Sequence, residues 1–105
     1  MAKVFSNKKS KKLDRGIAFP TCISVNEICG NFSPCPEETH TLKNEDVVKI
    51  DFGAHIDGYP SNVGHTIIVG GKANGKQASV ILAAYDAFLA ATRSIKIGST
   101  NQDVT

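Results

Sequence analysis

The stretch KIDFGAHIDGYPSNVGHT, Lys49–Thr66, decides how this chain folds. It opens inside a longer run, 47–56, in which two sets of residues alternate. Val48, Ile50, Phe52, Ala54 and Ile56 form one set; Lys49, Asp51, Gly53 and His55 form the other. A period of two sends successive side chains to opposite faces, which is the pattern of a half-buried β-strand. Asp57-Gly58 then breaks the run. Both central residues of a type I′ turn need positive φ, and Asp-Gly is a favoured pair for it, so a two-residue hairpin turn is predicted. The chain returns as a second strand, YPSNVGHTIIVGG.

The turn dictates the register. With Asp57-Gly58 as the loop, Ile56 opposes Tyr59, Asp51 opposes Gly64, and Gly53 opposes Asn62. Position 62 therefore shares the face of Asp51, one diagonal step away, roughly 7–8 Å between backbones. Carboxylates at both positions would converge on a pair of metal ions about 3.5–4 Å apart. The second position carries an amide, Asn62. By the same parity His55 lies on the face of Asp51 and His65 on the opposite one, and each reads as a structural histidine.

Outward from the hairpin, residues 17–29 (IAFPTCISVNEIC) are rich in Ile, Val, Phe and Thr and read as a strand region, with Pro20 marking a bend or an edge. Residues 30–46 hold two prolines, a glycine and four acids and read as a loop. Residues 76–97 read as a long helix, with Val80, Ala84, Phe88, Ala91 and Ile95 on one stripe and Gly98 just past its end. Thr100 with Asp103 three residues on predicts the start of another helix.

Length and composition bound the rest. A chain of 105 residues has room for one domain, and 41% hydrophobic with 21% charged residues is ordinary for a globular protein. No apolar run reaches membrane-spanning length, and the first residues are not a secretory signal. Three cysteines, Cys22, Cys29 and Cys35, without metal-site spacing read as reduced thiols. The charge is lopsided. Residues 1–15 hold Lys3, Lys8, Lys9, Lys11, Lys12 and Arg15 against Asp14, a net +5, so the remainder of a chain of net +2 carries −3. Residues 1–15 are expected to form a basic helix or tail that ends at Gly16, the kind of surface that meets phosphate.

The motifs GIAFPT, SVN, a Phe-Ser-Pro, and DVVKIDFGAHIDG, in that order, resemble the type II methionine aminopeptidase group of the pita-bread fold. Together with NVGHT and the lysine-rich KVFSNKKSKKLDRG they are more similar to the proliferation-associated, ErbB-binding members of that group, which are not peptidases. The resemblance implies an α+β fold, the N-terminal half of a pita-bread domain, with an antiparallel sheet and packed helices over residues 16–105. It further implies that the chain is a fragment of a longer protein. Active relatives hold two metals with two aspartates, a histidine and two glutamates. The first aspartate matches Asp51 and the second falls on Asn62, so both read as vestigial metal-site positions. The catalytic histidine before the aromatic-Ser/Thr-Pro motif falls on Asn31, a vestigial catalytic position.

Asn62 offers one neutral oxygen, a poor bridge between cations, and Asn31 cannot shuttle a proton near neutrality as imidazole can. The expected reading is thus a catalytically inactive protein with no cofactor. Its partners are ribosomes or structured RNA, bound through Lys8, Lys9, Lys11 and Lys12, together with proteins; no membrane is involved. The resemblance implies a cytoplasmic location with a nuclear and nucleolar pool, and a role in growth control. The alternative is an active methionine aminopeptidase using two divalent cations such as cobalt, manganese or zinc.

Overall fold

The computed structural model describes residues 13–105. Of the predicted basic helix or tail, residues 1–12, with the lysines at 8, 9, 11 and 12, lie outside the described residues. The chain forms two units, one ending at Lys72 and the other spanning Ala73–Thr105.

The first unit is an antiparallel sheet of three strands in sequential order: β1 (Arg15–Val25), β2 (Val47–Ile56) and β3 (Tyr59–Ile68). Asp57 and Gly58 take φ of 54° and 82°, so the turn has the left-handed pair that the sequence demands. The β2–β3 register runs unbroken from Ile56↔Tyr59 through Gly53↔Asn62 and Asp51↔Gly64 to Val47↔Ile68, as the turn predicts.

β1 is less regular. Its pairing with β2 slips once between Ile17 and Phe19 and again between Phe19 and Cys22, so the strand is bulged at two places. Pro20 falls in the second slip. β1 is an edge strand, where a missing N–H costs the ladder least. β1 starts at Arg15, so Gly16 lies within a strand and does not end a helix. A side chain at 16 would meet the His55 ring, with Nε2 only 3.1 Å from its Cβ. The strand also ends at Val25, four residues short of the predicted limit, because Asn26 turns the chain with φ 49°.

Asn26 ties the neck of the following loop. Its N–H donates to the Val47 carbonyl (2.8 Å), and Val47 N–H donates to Asn26 Oδ1 (2.9 Å). Its Nδ2 donates to Asp46 Oδ1 (2.9 Å), and Lys49 Nζ donates to its carbonyl (2.7 Å). Asp46 Oδ2 accepts from Lys43 N–H at 2.8 Å. The core of this unit is small. Val48, Val25, Cys22 and Ser24 are buried, whereas Val63 and Ile67 on β3 remain largely exposed.

In the second unit, α1 spans Gly75–Ser94 and α2 spans Asn101–Val104. Asn74 Oδ1 accepts from Gln77 N–H, and Gln77 Oε1 accepts from Asn74 N–H, both at 3.0 Å. This reciprocal cap begins the helix one residue before the predicted start. No residue of α1 is buried, and the stripe residues Val80, Phe88 and Ile95 are 70%, 60% and 66% exposed. The Thr100–Asp103 start is present, with Asp103 Oδ2 accepting from Thr100 N–H (2.8 Å). Among the described residues, no helix is long and apolar enough to cross a membrane.

Asp46 makes the neck of the loop sensitive to acid. The Lys43 amide and then the Asn26 side chain hold its carboxyl below the usual 3.8, so the ionised form favours the folded state. That contribution is complete above 3.8 and is lost as pH falls through the lower folded-state value. Asp46→Asn is expected to lower stability near neutrality, because its amide cannot accept from both donors. The gap between parent and variant narrows below pH 3.8 in urea titrations across the acid range.

Candidate functional site

The sheet face that bears Asp51 is built in rungs, each crossing the three strands. Ser24, Lys49 and Thr66 form one rung; Cys22, Asp51 and Gly64 form the next; Phe19, Gly53 and Asn62 form the third. Asp51 is half-buried on the central strand. On one side it has Cys22, which is buried and whose Sγ donates to the Pro20 carbonyl at 3.3 Å. On the other it has Gly64, where nothing lies within 4 Å of the place a Cβ would occupy. That vacant corner opens into a cleft of about 420 Å³, lined by Ser24, Asn31, Lys49, Asp51, Gly64 and Thr66. Cys29 and the β3 segment at His65 complete its border.

Asn31 reaches this cleft because its loop is laced to the outer edge of β1. Ile23 N–H donates to the Phe32 carbonyl (2.7 Å), and Phe32 N–H donates to Ser24 Oγ (3.3 Å). Ser33 Oγ donates to the Thr21 carbonyl (3.1 Å). Ser24 is 1% exposed, so its hydroxyl is a fixed anchor. Asn31 itself adopts φ 58°, a region that Asn tolerates better than most residues.

The structure therefore brings Asn31 and Asp51 to one cleft and sets Asn62 aside from it. Asn62 Oδ1 lies over the Gly53 backbone, 2.5 Å from where a Cβ would be, with Phe19 Cε1 at 2.8 Å from the same point. Gly53 is thus the floor on which the amide and the ring rest. His55, on the same face, has a buried Nδ1 with no hydrogen-bond partner. Sequence reading missed two further contributors. Lys49 shares the parity of Asp51, which the alternation already showed. Gly64 opposes Asp51 in the predicted register, and its lack of a side chain is what makes room.

Two metals bound here would need several anionic or imidazole donors around a common point. Among the described residues, no group of three or more His, Cys, Asp or Glu side chains is placed to hold a metal ion. The cleft presents one carboxylate, one amide and a lysine, with Cys29 and His65 at its border. Within the described residues this donor set does not fit a dinuclear centre.

The site is thus an antiparallel hairpin with one carboxylate on its central strand, a second polar position diagonally across, and an adjoining Phe-Ser-Pro loop. The chain belongs to metallopeptidase family M24, which it matches over residues 1–105, and the α+β pita-bread architecture expected from its motifs is borne out. It is 52% identical over 108 residues to Proliferation-associated protein A of Dictyostelium discoideum, covering 99% of this chain and 28% of that relative. It is 48% identical over 105 residues to ERBB-3 BINDING PROTEIN 1 of Arabidopsis thaliana, covering 99% and 26%. Curved DNA-binding protein of Schizosaccharomyces pombe is 47% identical over 101 residues, covering 92% and 26%. These similarities bear out the resemblance to the proliferation-associated, ErbB-binding group. The chain spans roughly a quarter of the length of the curated relatives it matches.

Gly53→Ala is expected to destabilise the protein by about 1–3 kcal/mol, because the added methyl meets both Asn62 Oδ1 and the Phe19 ring. Adding Asn62→Ala to that variant should recover part of the loss and leave the share due to Phe19. Urea midpoints of the two variants measure both effects.

Proposed function

We propose that this protein is a catalytically silent member of family M24 that works by binding, with structured RNA or ribosomes as its nucleic-acid partner and proteins as further partners in growth control. The observation that carries the reading is the amide of Asn62. It takes the position where a second carboxylate would face the site, and it is occupied in packing over Gly53. Asn31, where active relatives of the resembling group place an imidazole, lines the same cleft as Asp51 and supplies no titrating group. Water activation between two cations loses both its anionic bridge and its proton carrier.

Binding draws its support from elsewhere in the chain. Lys8, Lys9, Lys11 and Lys12 concentrate positive charge at one end, while residues 16–105 carry −3. Such a tract neutralises phosphates, with affinity that falls steeply with salt and depends little on sequence. The names of these relatives agree with this division: one is called proliferation-associated, one ERBB-3 binding and one DNA-binding. The cytoplasmic and nucleolar locations expected from the resemblance belong to the same proposal.

Replacing the four lysines by glutamate in the full-length protein should abolish binding to structured RNA and to ribosomes, read by a filter assay across a salt titration. Unchanged affinity of that variant at physiological salt would remove the RNA-binding reading. The silent-enzyme reading is tested separately, by metal analysis of the full-length protein and turnover of a Met-Ala-Ser peptide. Neither two tightly held cations nor hydrolysis is expected; finding both would restore the aminopeptidase alternative.

A further inference from the structure

The loop that walls the cleft carries the sequence FSPCPEE, residues 32–38. Ser33-Pro34 is the one Ser/Thr-Pro pair in the chain, since Pro20, Pro36 and Pro60 follow Phe19, Cys35 and Tyr59. Ser33 is exposed, and every residue from there to Glu45 is exposed as well. The segment has no helix or strand. Pro34 disfavours the helical region for Ser33 and holds it extended, the shape in which a chain lies along an enzyme's groove. Proline also has no N–H, so a groove without an acceptor at that point admits it and penalises other residues, which would bury an unmet donor.

The hydroxyl of Ser33 has a structural task. It donates to the Thr21 carbonyl at 3.1 Å, one of three bonds that lace residues 31–33 to β1. The other two are Ile23 N–H to the Phe32 carbonyl and Phe32 N–H to Ser24 Oγ. We propose that Ser33 is a phosphorylation site for proline-directed kinases, and that phosphate there releases the Asn31 wall of the cleft from β1.

In the transfer, the bond between the γ-phosphorus of ATP and its bridging oxygen breaks, and a bond from Ser33 Oγ to that phosphorus forms. ADP leaves, and the hydroxyl proton passes to a base of the kinase. Afterwards Oγ has no proton to donate. A group of charge about −1.5 to −2 then faces the Thr21 carbonyl, acceptor against acceptor. Glu37 and Glu38 follow on the same segment and offer no countercharge. Residues 31–33 are left on the Ile23 N–H bond to the Phe32 carbonyl and the Phe32 N–H bond to Ser24 Oγ, the repulsion strains both, and Asn31 shifts from the wall of the cleft. Phosphorylation thus acts on the geometry of the cleft. It does not rest on the RNA-binding reading, and loss of that reading in the lysine variant leaves it untouched.

The test uses the full-length protein, incubated with ATP and a proline-directed kinase, beside Ser33→Ala and Pro34→Ala. Peptide mass spectrometry is expected to place phosphate on Ser33 in the parent and on neither variant. Amide exchange at Ile23 and Phe32 should quicken roughly five-fold or more on phosphorylation, the factor that corresponds to losing one net hydrogen bond. Ser33→Ala, which loses the bond without gaining charge, should show a smaller increase. Absence of phosphate at Ser33 in the folded protein overturns the site, whether or not a synthetic 28–42 peptide is modified. Phosphate at Ser33 with unchanged exchange overturns the release.

Discussion

The pairing of β2 with β3 is the constraint on which the rest of the first unit depends. Two residues of positive φ, Asp57 and Gly58, allow no loop longer than themselves, and from that turn ten consecutive pairs follow without a slip. Side chains alternate in period two, so a slip of one residue would send Asp51, Lys49 and Thr66 to the apolar face and Val48 out of its buried position. The face that holds the cleft and the face that buries Val48 and Val25 are therefore set by one decision. β1 is free to bulge twice because β2 is already fixed by its other neighbour.

That same dependence explains what could be read in advance. The hairpin, its register and the shared face of Asp51 and Asn62 rest on local alternation and one turn, and both are visible in a dozen residues. The limits of β1 were not visible. Ile28 and Cys29 carry apolar character past Val25, and only the hydrogen bonds of Asn26 across to residues 46–49 show why the strand stops. Gly16 resembled the residue after a helix end, yet it is glycine because the His55 ring lies against it, a contact thirty-nine positions away in the chain. The cap at Asn74 has a local signature, Gln77 three residues on, which the reading of a helix from residue 76 did not use.

The meeting of Asn31 with Asp51 belongs between these cases. The motif resemblance named both residues. Their common cleft is formed by three hydrogen bonds to β1 and by an absent side chain at Gly64, and neither is stated by any local pattern. An amide at position 62 changes the chemistry without disturbing this frame. It is close in volume to a carboxylate, it rests on Gly53, and the register around it is unbroken. Membership of family M24 accordingly fixes the architecture and leaves the activity to be argued from single side chains.

The knot at Asn26 has a consequence of its own. Backbone and side chain of this residue join residue 26 to residue 47 directly, so the segment between them leaves and rejoins the sheet through one closed gate. The entropy of closing a loop grows only slowly with its length. The portion after the Phe-Ser-Pro anchor, from Cys35 to Leu42, is consequently a length-neutral excursion. Evolution can lengthen or shorten it among relatives while the sheet, and the cleft on it, keep the same dimensions.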